Sequence, residues 1–279
     1  MRRALIVLAL AVLGSCGSKR EQAAASGPAR IVSLTPSATE VVAALGATAQ
    51  LVGVDEYSKF PPEVASLPKV GSFLAPNLEV IVQLRPTLVI VDDIHGQVAG
   101  ALHDHGLATI ECDMHALPDV KHALRAVGDK LGKAKEADAA IADIDRALDE
   151  AAARRPARHP RVLAIIDREA GGLGNLVAAG PGSWVDELLA VVGGDNVLAA
   201  SGVRYPKISL EEVLTGDPEV IIDLSFDKDP ARKIAAWSDV NVTAVKTGHV
   251  KALDDAYLQG PSPRVRQALA TLAAAIQAP

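Results

Sequence analysis

Short apolar runs alternate with amphipathic segments along the chain from residue 30 onward. A segment such as 36–45, which stops at Gly46, predicts a helix. In the first half, the runs that predict strands are 30–34, 51–54, 87–92 and 108–112. Strands that are apolar throughout and alternate with helices are typical of a parallel sheet covered on both faces. The pattern therefore predicts an α/β fold with mainly parallel sheets.

One pattern occurs once in each half of the chain. Leu78-Glu79 opens a predicted helix that ends before Pro86 and a buried strand. Leu210-Glu211 and Pro218 repeat this order with the same spacing, again before an apolar strand. The repeat predicts two similar Rossmann-like lobes with a cleft between them, an arrangement that suits capture of a ligand.

The middle of the chain predicts helices alone. A helix over 117–131 ends at Gly132, and a second over 133–155 carries its apolar residues on one stripe. At 1.5 Å per residue the second helix would be roughly 35 Å long, about the diameter of one lobe. We expect a long rigid helix that joins the lobes, or else a helix packed within a single domain. The predicted lobes are then 30–116 and 156–279, with the helical segment 117–155 between them.

The first thirty residues predict targeting rather than fold. Arg2 and Arg3 precede a ten-residue apolar stretch that is too short to span a bilayer. Leu13-Gly14-Ser15-Cys16 resembles a bacterial lipobox, which implies removal of residues 1–15 and lipid on Cys16. An ordinary secretory signal is the alternative. Residues 16–29 are rich in Gly, Ser and Ala and predict a flexible tether, so we expect a membrane-anchored lipoprotein in the periplasm of the cell envelope.

Composition and charge exclude several functions. The net charge is −6, which argues against a nucleic-acid surface. No nucleophile–base pair, closed zinc site or phosphate-binding loop is visible, so the sequence favours a binding protein over an enzyme and predicts no cofactor. A sensor or adhesion module is a further alternative. Aromatic residues make up only 3% of the chain, which makes each aromatic in a loop a candidate for ligand contact.

Cysteine and histidine add little chemistry at this stage. If Cys16 carries lipid, Cys112 has no partner for an internal disulfide, and its apolar strand predicts a buried, inert thiol. His103 and His105 lie on different faces of a helix end, which favours solvation over metal binding. His95 follows a predicted strand and is the one histidine that we consider a ligand for haem iron or cobalt.

The segments above together resemble class III periplasmic binding proteins, the family that takes up vitamin B12, haem and ferric siderophores with an ABC importer. The resemblance runs in order through nearly all of residues 30–279 and is strongest to the vitamin B12-binding branch. The matching segments are 30–40, 45–47, 51–54, Tyr57, 61–62, 67–71, 77–79, 85–86, 193–196, 209–211, 217–218 and 263–264. It implies two rigid lobes, a connecting helix and a small-molecule ligand held in the cleft.

The ligand contacts follow from position and from this resemblance. Ser37 begins the first helix, where free backbone N–H groups can bind an acceptor. Tyr57, Phe73 and Tyr205 fall where the vitamin B12-binding branch carries cleft aromatics, with core packing as the alternative. Further candidates are His95, Trp184, Asp254, Tyr257 and Gln259. Many relatives carry Arg at the place of Gly260, so an anionic ligand that needs that Arg is disfavoured here.

Glu79 and Glu211 occupy matching first turns of their helices. An acidic residue there is favoured by the helix dipole alone, and Ser209 with Glu212 also forms a capping box. The resemblance implies a second role, in which one exposed Glu per lobe docks on arginines of the membrane permease. We expect a corrinoid-binding protein that delivers its ligand to this permease, or a haem or ferric-siderophore binder of the same architecture.

Overall fold

The computed structural model describes residues 29–277, so the predicted signal, most of the tether and Cys16 lie outside it. Strands of the described chain are β1 (Ile31–Ser33), β2 (Leu51–Val54), β3 (Gly71–Ser72), β4 (Ala75–Pro76), β5 (Leu88–Val91), β6 (Thr109–Glu111), β7 (Arg161–Asp167), β8 (Leu176–Ala178), β9 (Asp195–Asn196), β10 (Lys207–Ile208), β11 (Val220–Asp223) and β12 (Val250–Ala252).

Helices precede or follow most of these strands. They are α1 (Pro36–Ala44), α2 (Leu78–Gln83), α3 (Gly96–Asp104), α4 (Leu117–Leu131), α5 (Ala134–Ala152), α6 (Trp184–Val192), α7 (Leu210–Gly216), α8 (Pro230–Ala236), α9 (Thr243–Lys246), α10 (Ala256–Gln259) and α11 (Val265–Ile276). Short 3₁₀ helices span Thr48–Gln50, Pro62–Ser66 and Asp93–His95. Thr35 caps α1 and Asn77 caps α2. Gly132 follows α4 in a left-handed conformation, at the position where the sequence predicts the end of this helix.

The strands form two separate main sheets. The first is fully parallel, in the order β2-β1-β5-β6. The second follows the order β10-β8-β7-β11-β12, with β9 added beside β7. We call the sheets, with their flanking helices, the first and second lobes. The α/β class with paired Rossmann-like units is confirmed.

The second sheet differs from the prediction in one respect. Strand β8 runs antiparallel to β7, and β10 runs antiparallel to β8. Only residues 168–175 connect β7 to β8, which is shorter than the dozen or more residues that a parallel crossover needs. Asn175 and Gly171 adopt positive φ in this connection, so the chain reverses in a hairpin and the sheet is mixed.

One hydrophobic core extends through both lobes. It includes buried residues of α1 and α4 on the first sheet and of α6 and α11 on the second, with α5 between them. Helix α5 is 19 residues long, about 28 Å, and packs against α4, α11, α6 and α1. Separate clusters cover the outer face of each sheet. A shared core of this kind resists hinge motion between the lobes, because opening would expose close-packed apolar surface.

Candidate functional site

The loops that follow the strands of the first sheet face segments of the second lobe. Ser37, in the first turn of α1, is so close to Gly260 that a Cβ on that glycine would lie 3.8 Å from the Ser37 hydroxyl. At the other side of the sheet, the N–H of Leu117 donates to Glu187 of α6 at 2.6 Å. These two contacts lie between the lobes, in the region where the sequence predicts the ligand-binding cleft.

A buried ion pair also joins the lobes. Arg264 donates from Nε to Oε2 of Glu40 at 2.9 Å and from Nη2 to its other carboxylate oxygen. The Ser262 hydroxyl donates to the same carboxylate. The guanidinium carbon of Arg264 lies 4.1 Å from the ring centre of Phe60 and 4.8 Å from that of Tyr257. Sequence reasoning used Glu40 and Arg264 as motif positions and missed their pairing, because nothing in one sequence links residues so far apart.

Tyr57 is presented by a turn with a buried polar support. Its side chain is 60% exposed, while its N–H donates to Asp55 Oδ2 at 2.8 Å. Asp55 is buried and accepts a hydrogen bond from the Ser58 hydroxyl. The Ser58 hydroxyl lies 2.7 Å from the Thr39 hydroxyl, which in turn is hydrogen-bonded to the Ser33 hydroxyl. Burial raises the pKa of Asp55, although its hydrogen bonds lower it. These hydrogen bonds stabilise the turn that carries the exposed Tyr57 side chain.

Tyr205 is the exposed aromatic that the sequence predicts on the second lobe. Its side chain is 41% exposed, in the loop between β9 and β10. Burial raises the pKa of its hydroxyl, and this outweighs the effects of Arg204 and of a hydrogen bond with the Trp184 backbone, which lower it.

Phe226 is a candidate ligand contact that sequence reasoning missed. It lies three residues after β11 and is 66% exposed. The Gln259 side chain donates to the carbonyl of the neighbouring Leu224 at 3.4 Å, which places predicted contact Gln259 beside this strand end. An aromatic directly after a buried strand, in a chain with so few aromatics, was the available signal.

A buried charged network supports this end of β11. Arg168 donates from Nε to Asp223 at 2.8 Å, and Trp237 donates to the same carboxylate oxygen at 3.0 Å. Ser225 donates to the other oxygen at 2.6 Å. Burial alone would raise the pKa of Asp223, but these three hydrogen bonds outweigh it and lower the pKa below the ordinary value of 3.8. The network fixes the segment that carries Phe226.

Two of the predicted ligand contacts, Trp184 and His95, are buried side chains with hydrogen-bond partners inside the protein. Trp184 is 1% exposed, packs in the shared core and donates from Nε1 to the Tyr257 carbonyl at 2.9 Å. His95 is buried, and both its ring nitrogens are engaged: Nδ1 accepts from the Asp92 N–H at 3.0 Å, and Nε2 lies 2.7 Å from the Phe73 carbonyl. Neither side chain offers a free face or lone pair to a ligand.

Some of the remaining predicted ligand contacts pack against other side chains, and others are open to solvent. Phe73 is half-buried and packs edge-on against His95, with ring centres 5.6 Å apart. The Tyr257 hydroxyl is 3.0 Å from that of Thr271, so its ring is held against α11. Asp254 is exposed just after β12. The structure thus leaves Ser37, Tyr57, Tyr205 and Asp254 with surfaces open to a ligand.

Asp92, Asp93 and His115 form a polar cluster that the sequence did not predict. Asp92 and Asp93 follow β5, His115 follows the neighbouring strand β6, and one ligand atom from each lies within 4.8 Å of the others. Burial and the facing carboxylate of Asp93 raise the pKa of Asp92 to about 7, while the hydrogen bond with Asp92 lowers that of Asp93. These residues could hold a metal ion.

Cys112 matches its predicted inert role. Burial, with smaller effects from nearby carboxylates, raises the pKa of its thiol to about 12. The thiolate is therefore scarce at neutral pH.

Glu79 and Glu211 are exposed in the first turns of α2 and α7. Glu79 accepts from the Gln83 amide at 3.2 Å, which leaves most of its carboxylate accessible. The neighbouring Glu212 forms the capping box with Ser209: the Ser209 N–H donates to the Glu212 carboxylate, and the Glu212 N–H donates to the Ser209 hydroxyl. Glu212 therefore supplies the capping carboxylate of α7, and capping does not explain the presence of a second acidic residue at position 211.

The cavities lie apart from the predicted ligand contacts. One of about 740 Å³ lies beside α1, between Ala44, Leu51, Phe60, Leu67 and Arg264, and another of about 360 Å³ adjoins Glu211. None of the nine predicted ligand contacts lines either cavity. The exposed residues Tyr57, Tyr205 and Phe226 therefore lie outside the walls of both cavities.

Comparisons with known proteins agree with this architecture. A sequence profile of the family described as periplasmic binding protein matches residues 31–257. The vitamin B12-binding protein of Vibrio cholerae is 27% identical over 243 residues, which is 86% of each chain. A periplasmic haem-binding protein of Pseudomonas aeruginosa matches with a TM-score of 0.80 and 30% identity, over 89% of this chain and 92% of that one. The periplasmic vitamin B12-binding protein of Vibrio cholerae matches with a TM-score of 0.70 and 26% identity, over 89% and 97%.

Two further findings complete this comparison. Between residues 29 and 277, no helix combines the length and the apolar content that a membrane span requires. The family profile covers most of the chain. The chain therefore belongs to the periplasmic binding protein family, as a substrate-binding protein of the ABC-importer type and not an enzyme.

Proposed function

We propose that this protein captures a corrinoid of the vitamin B12 type between its lobes and delivers it to an ABC permease. The observation that carries the proposal is the exposure of Tyr57 on the first lobe and of Tyr205 and Phe226 on the second. A corrin ring offers a broad apolar face, and contacts with aromatic rings add about 0.5–1.5 kcal/mol each beyond area burial. The names of curated relatives support the same ligand class.

Haem, or less directly a ferric siderophore, is the second candidate. It is favoured by the likeness to haem-binding proteins, whose TM-scores of 0.80 and 0.79 exceed the 0.70 of the vitamin B12-binding structure. Two features of the chain argue for the corrinoid. Both ring nitrogens of His95 are engaged, and Gly260 offers no cation for the propionates of haem, while Arg264 is paired with Glu40.

Titration with cyanocobalamin and with haemin tests the proposal. We expect calorimetry of the purified full-length chain to give one site for cyanocobalamin and weaker binding of haemin by absorbance. Tyr57→Ala and Tyr205→Ala should each cost at least about 2 kcal/mol, roughly 30-fold in affinity, the range of buried aromatic anchors. Phe60→Ala is the matched control, because this exposed ring packs under Arg264 beside the α1 cavity.

Three results would decide against parts of this proposal. Absence of any cyanocobalamin binding excludes the corrinoid. Tighter binding of haemin, with a Soret band that shifts on binding, would favour the second candidate. Equal affinity in the wild type, Tyr57→Ala and Tyr205→Ala would remove the aromatic residues from the ligand site.

We further propose that Glu79 and Glu211 dock the loaded protein on its permease. The proposal is supported by their exposure at matching positions of the two lobes and by the division of labour between Glu211 and Glu212. Carboxylates at such positions can meet arginines of a partner, and loss of one member of a desolvated charge pair costs roughly 2–5 kcal/mol.

We propose finally that Cys16 carries the lipid that anchors the protein at a periplasmic membrane surface. The support is the sequence Leu13-Gly14-Ser15-Cys16 after a short apolar stretch. More than one acyl chain is needed for firm anchoring. Mass spectrometry of the mature N-terminus checks this: an unmodified Cys16, or a protein released without detergent, would contradict it.

A further inference from the structure

The cluster of Asp92, Asp93 and His115 lies beyond the carboxyl ends of β5 and β6. The Nε2 atom of His115 lies 3.1 Å from Asp93 Oδ2, and the Asp92 carboxylate is within hydrogen-bonding reach of Asp93. Strand β5 ends directly before Asp92, β6 ends at Glu111 shortly before His115, and the two strands pair directly in the parallel sheet. Sheet geometry therefore brings together residues that are 22 positions apart in the sequence.

Asp92 is the unusual member of the cluster. It is 3% exposed, and its Oδ1 atom has no hydrogen-bond partner. A buried carboxylate oxygen without a donor is destabilising unless a proton, an ion or a water molecule compensates it. The two carboxylates also face each other, so among the described residues His115 alone supplies a compensating donor within the cluster.

The backbone on both sides of the cluster is fixed. The Asp92 N–H donates to Nδ1 of His95 at 3.0 Å. The N–H groups of His115 and Ala116 donate to Asp119 Oδ2 at 3.0 and 2.9 Å. Asp119 thereby holds the loop that enters α4. Anchored supports of this kind are what keep metal ligands in position.

We propose that Asp92, Asp93 and His115 form a binding site for a divalent transition-metal cation, with zinc the best match. An imidazole nitrogen combined with two carboxylate oxygens suits Zn²⁺ more than Ca²⁺ or Mg²⁺, which prefer oxygen ligands alone. Three protein ligands leave at least one position for water or for a donor atom from outside the chain. Asp93 and His115 are partly exposed, so that position is open to solvent.

Zinc binding to the full-length chain tests the proposal with the metal alone. We expect calorimetry to give one zinc per chain and weaker binding of Ca²⁺. Asp93→Asn and His115→Gln should each weaken zinc binding at least about 10-fold, since even loss of an outer partner of a metal ligand costs 10–100-fold. Both side chains are partly exposed, so the variants should fold, and circular dichroism checks this.

The double variant His103→Gln/His105→Gln is the matched control. It removes two clustered histidines at the exposed end of α3 and leaves the proposed site intact, so it should bind zinc as the wild type does. A second readout is independent of the variants: Co²⁺ bound at the site should give visible absorption bands, and added Zn²⁺ should abolish them by displacing the Co²⁺.

The results separate the possibilities. Weakened binding in Asp93→Asn and His115→Gln, with unchanged binding in the control, supports the site. No saturable zinc binding by the wild type, or equal binding in all variants, contradicts it. Loss of binding in the histidine control alone would place the zinc on α3 and equally contradict the proposal.

Discussion

The ion pair between Glu40 and Arg264 gives a quantitative test of how the lobes are held together. The two side chains are 7% and 16% exposed, so the pair is largely removed from water. Replacement of one partner in such a pair costs about 3–5 kcal/mol, because the other charge stays buried without compensation. Arg264 keeps its contacts with Phe60 and Tyr257 and some exposure. We therefore expect Glu40→Ala to lower the free energy of unfolding by about 3 kcal/mol, the low end of that range.

Urea denaturation followed by circular dichroism measures this change. In a chain of this size, about 3 kcal/mol corresponds to a fall of roughly 6–12 °C in Tm. Glu150→Ala is the matched control, because Glu150 of α5 pairs with Arg266 of α11, next to the Arg264 region, but both side chains are more than 40% exposed. Exposed pairs contribute about 0–1 kcal/mol. The double replacement Glu40→Leu/Arg264→Met should recover part of the stability, since it leaves no unpaired charge.

A clear result would refute this reasoning. If Glu40→Ala lowers the free energy of unfolding no more than Glu150→Ala does, the pair is not a buried link between the lobes. If the double replacement is as unstable as Glu40→Ala, the loss comes from packing rather than from the unpaired charge on Arg264.

Two further predictions follow from the charged residues. The double variant Glu79→Ala/Glu211→Ala should abolish ligand uptake in cells and leave ligand affinity unchanged. The control is Glu136→Ala, which replaces an exposed first-turn residue of α5. Normal uptake by the double variant would exclude the docking role. The pKa of Asp223 is lowered in the folded state, so its charge contributes stability above the unfolded value of 3.8 that is lost as pH falls through the lower folded pKa. The difference in unfolding free energy between wild type and Asp223→Asn, from urea denaturation, should therefore shrink below about pH 4; a difference that is constant with pH would contradict the ionised network.

Local patterns in the sequence predicted the elements well. Gly132 marks the end of α4, Asn77 and Ser209 cap the helices that they precede, and the alternation of strands and helices gives the α/β class. These features depend on neighbours within a few residues. The long helix α5 is shorter than predicted, because its last residues before Pro156 leave the helix.

The candidate site depended on features that the sequence shows less directly. Trp184 and Tyr205 are both aromatic residues in or next to loops, yet one is buried and the other exposed. The helical spacing of Trp184 with Leu188 and Val192 placed its ring on the buried face of α6, a signal that could have corrected the prediction. No comparable signal links Asp92 to His115, since their proximity follows from the pairing of β5 with β6.

The direction of β8 illustrates the same limit. The apolar pattern of β8 is the same for parallel and antiparallel pairing, so it does not predict that β8 runs antiparallel to β7. The length of the connection from β7 was the only guide to its direction. Pairings over long distances in the sequence, such as Glu40 with Arg264, have no local pattern at all.

A crystal structure of the full-length chain with cyanocobalamin would test the central claim most directly. The account predicts electron density for the corrin between the lobes, in contact with Tyr57 on one side and Tyr205 or Phe226 on the other. Density in the cavity beside α1, or contacts with a single lobe only, would contradict it.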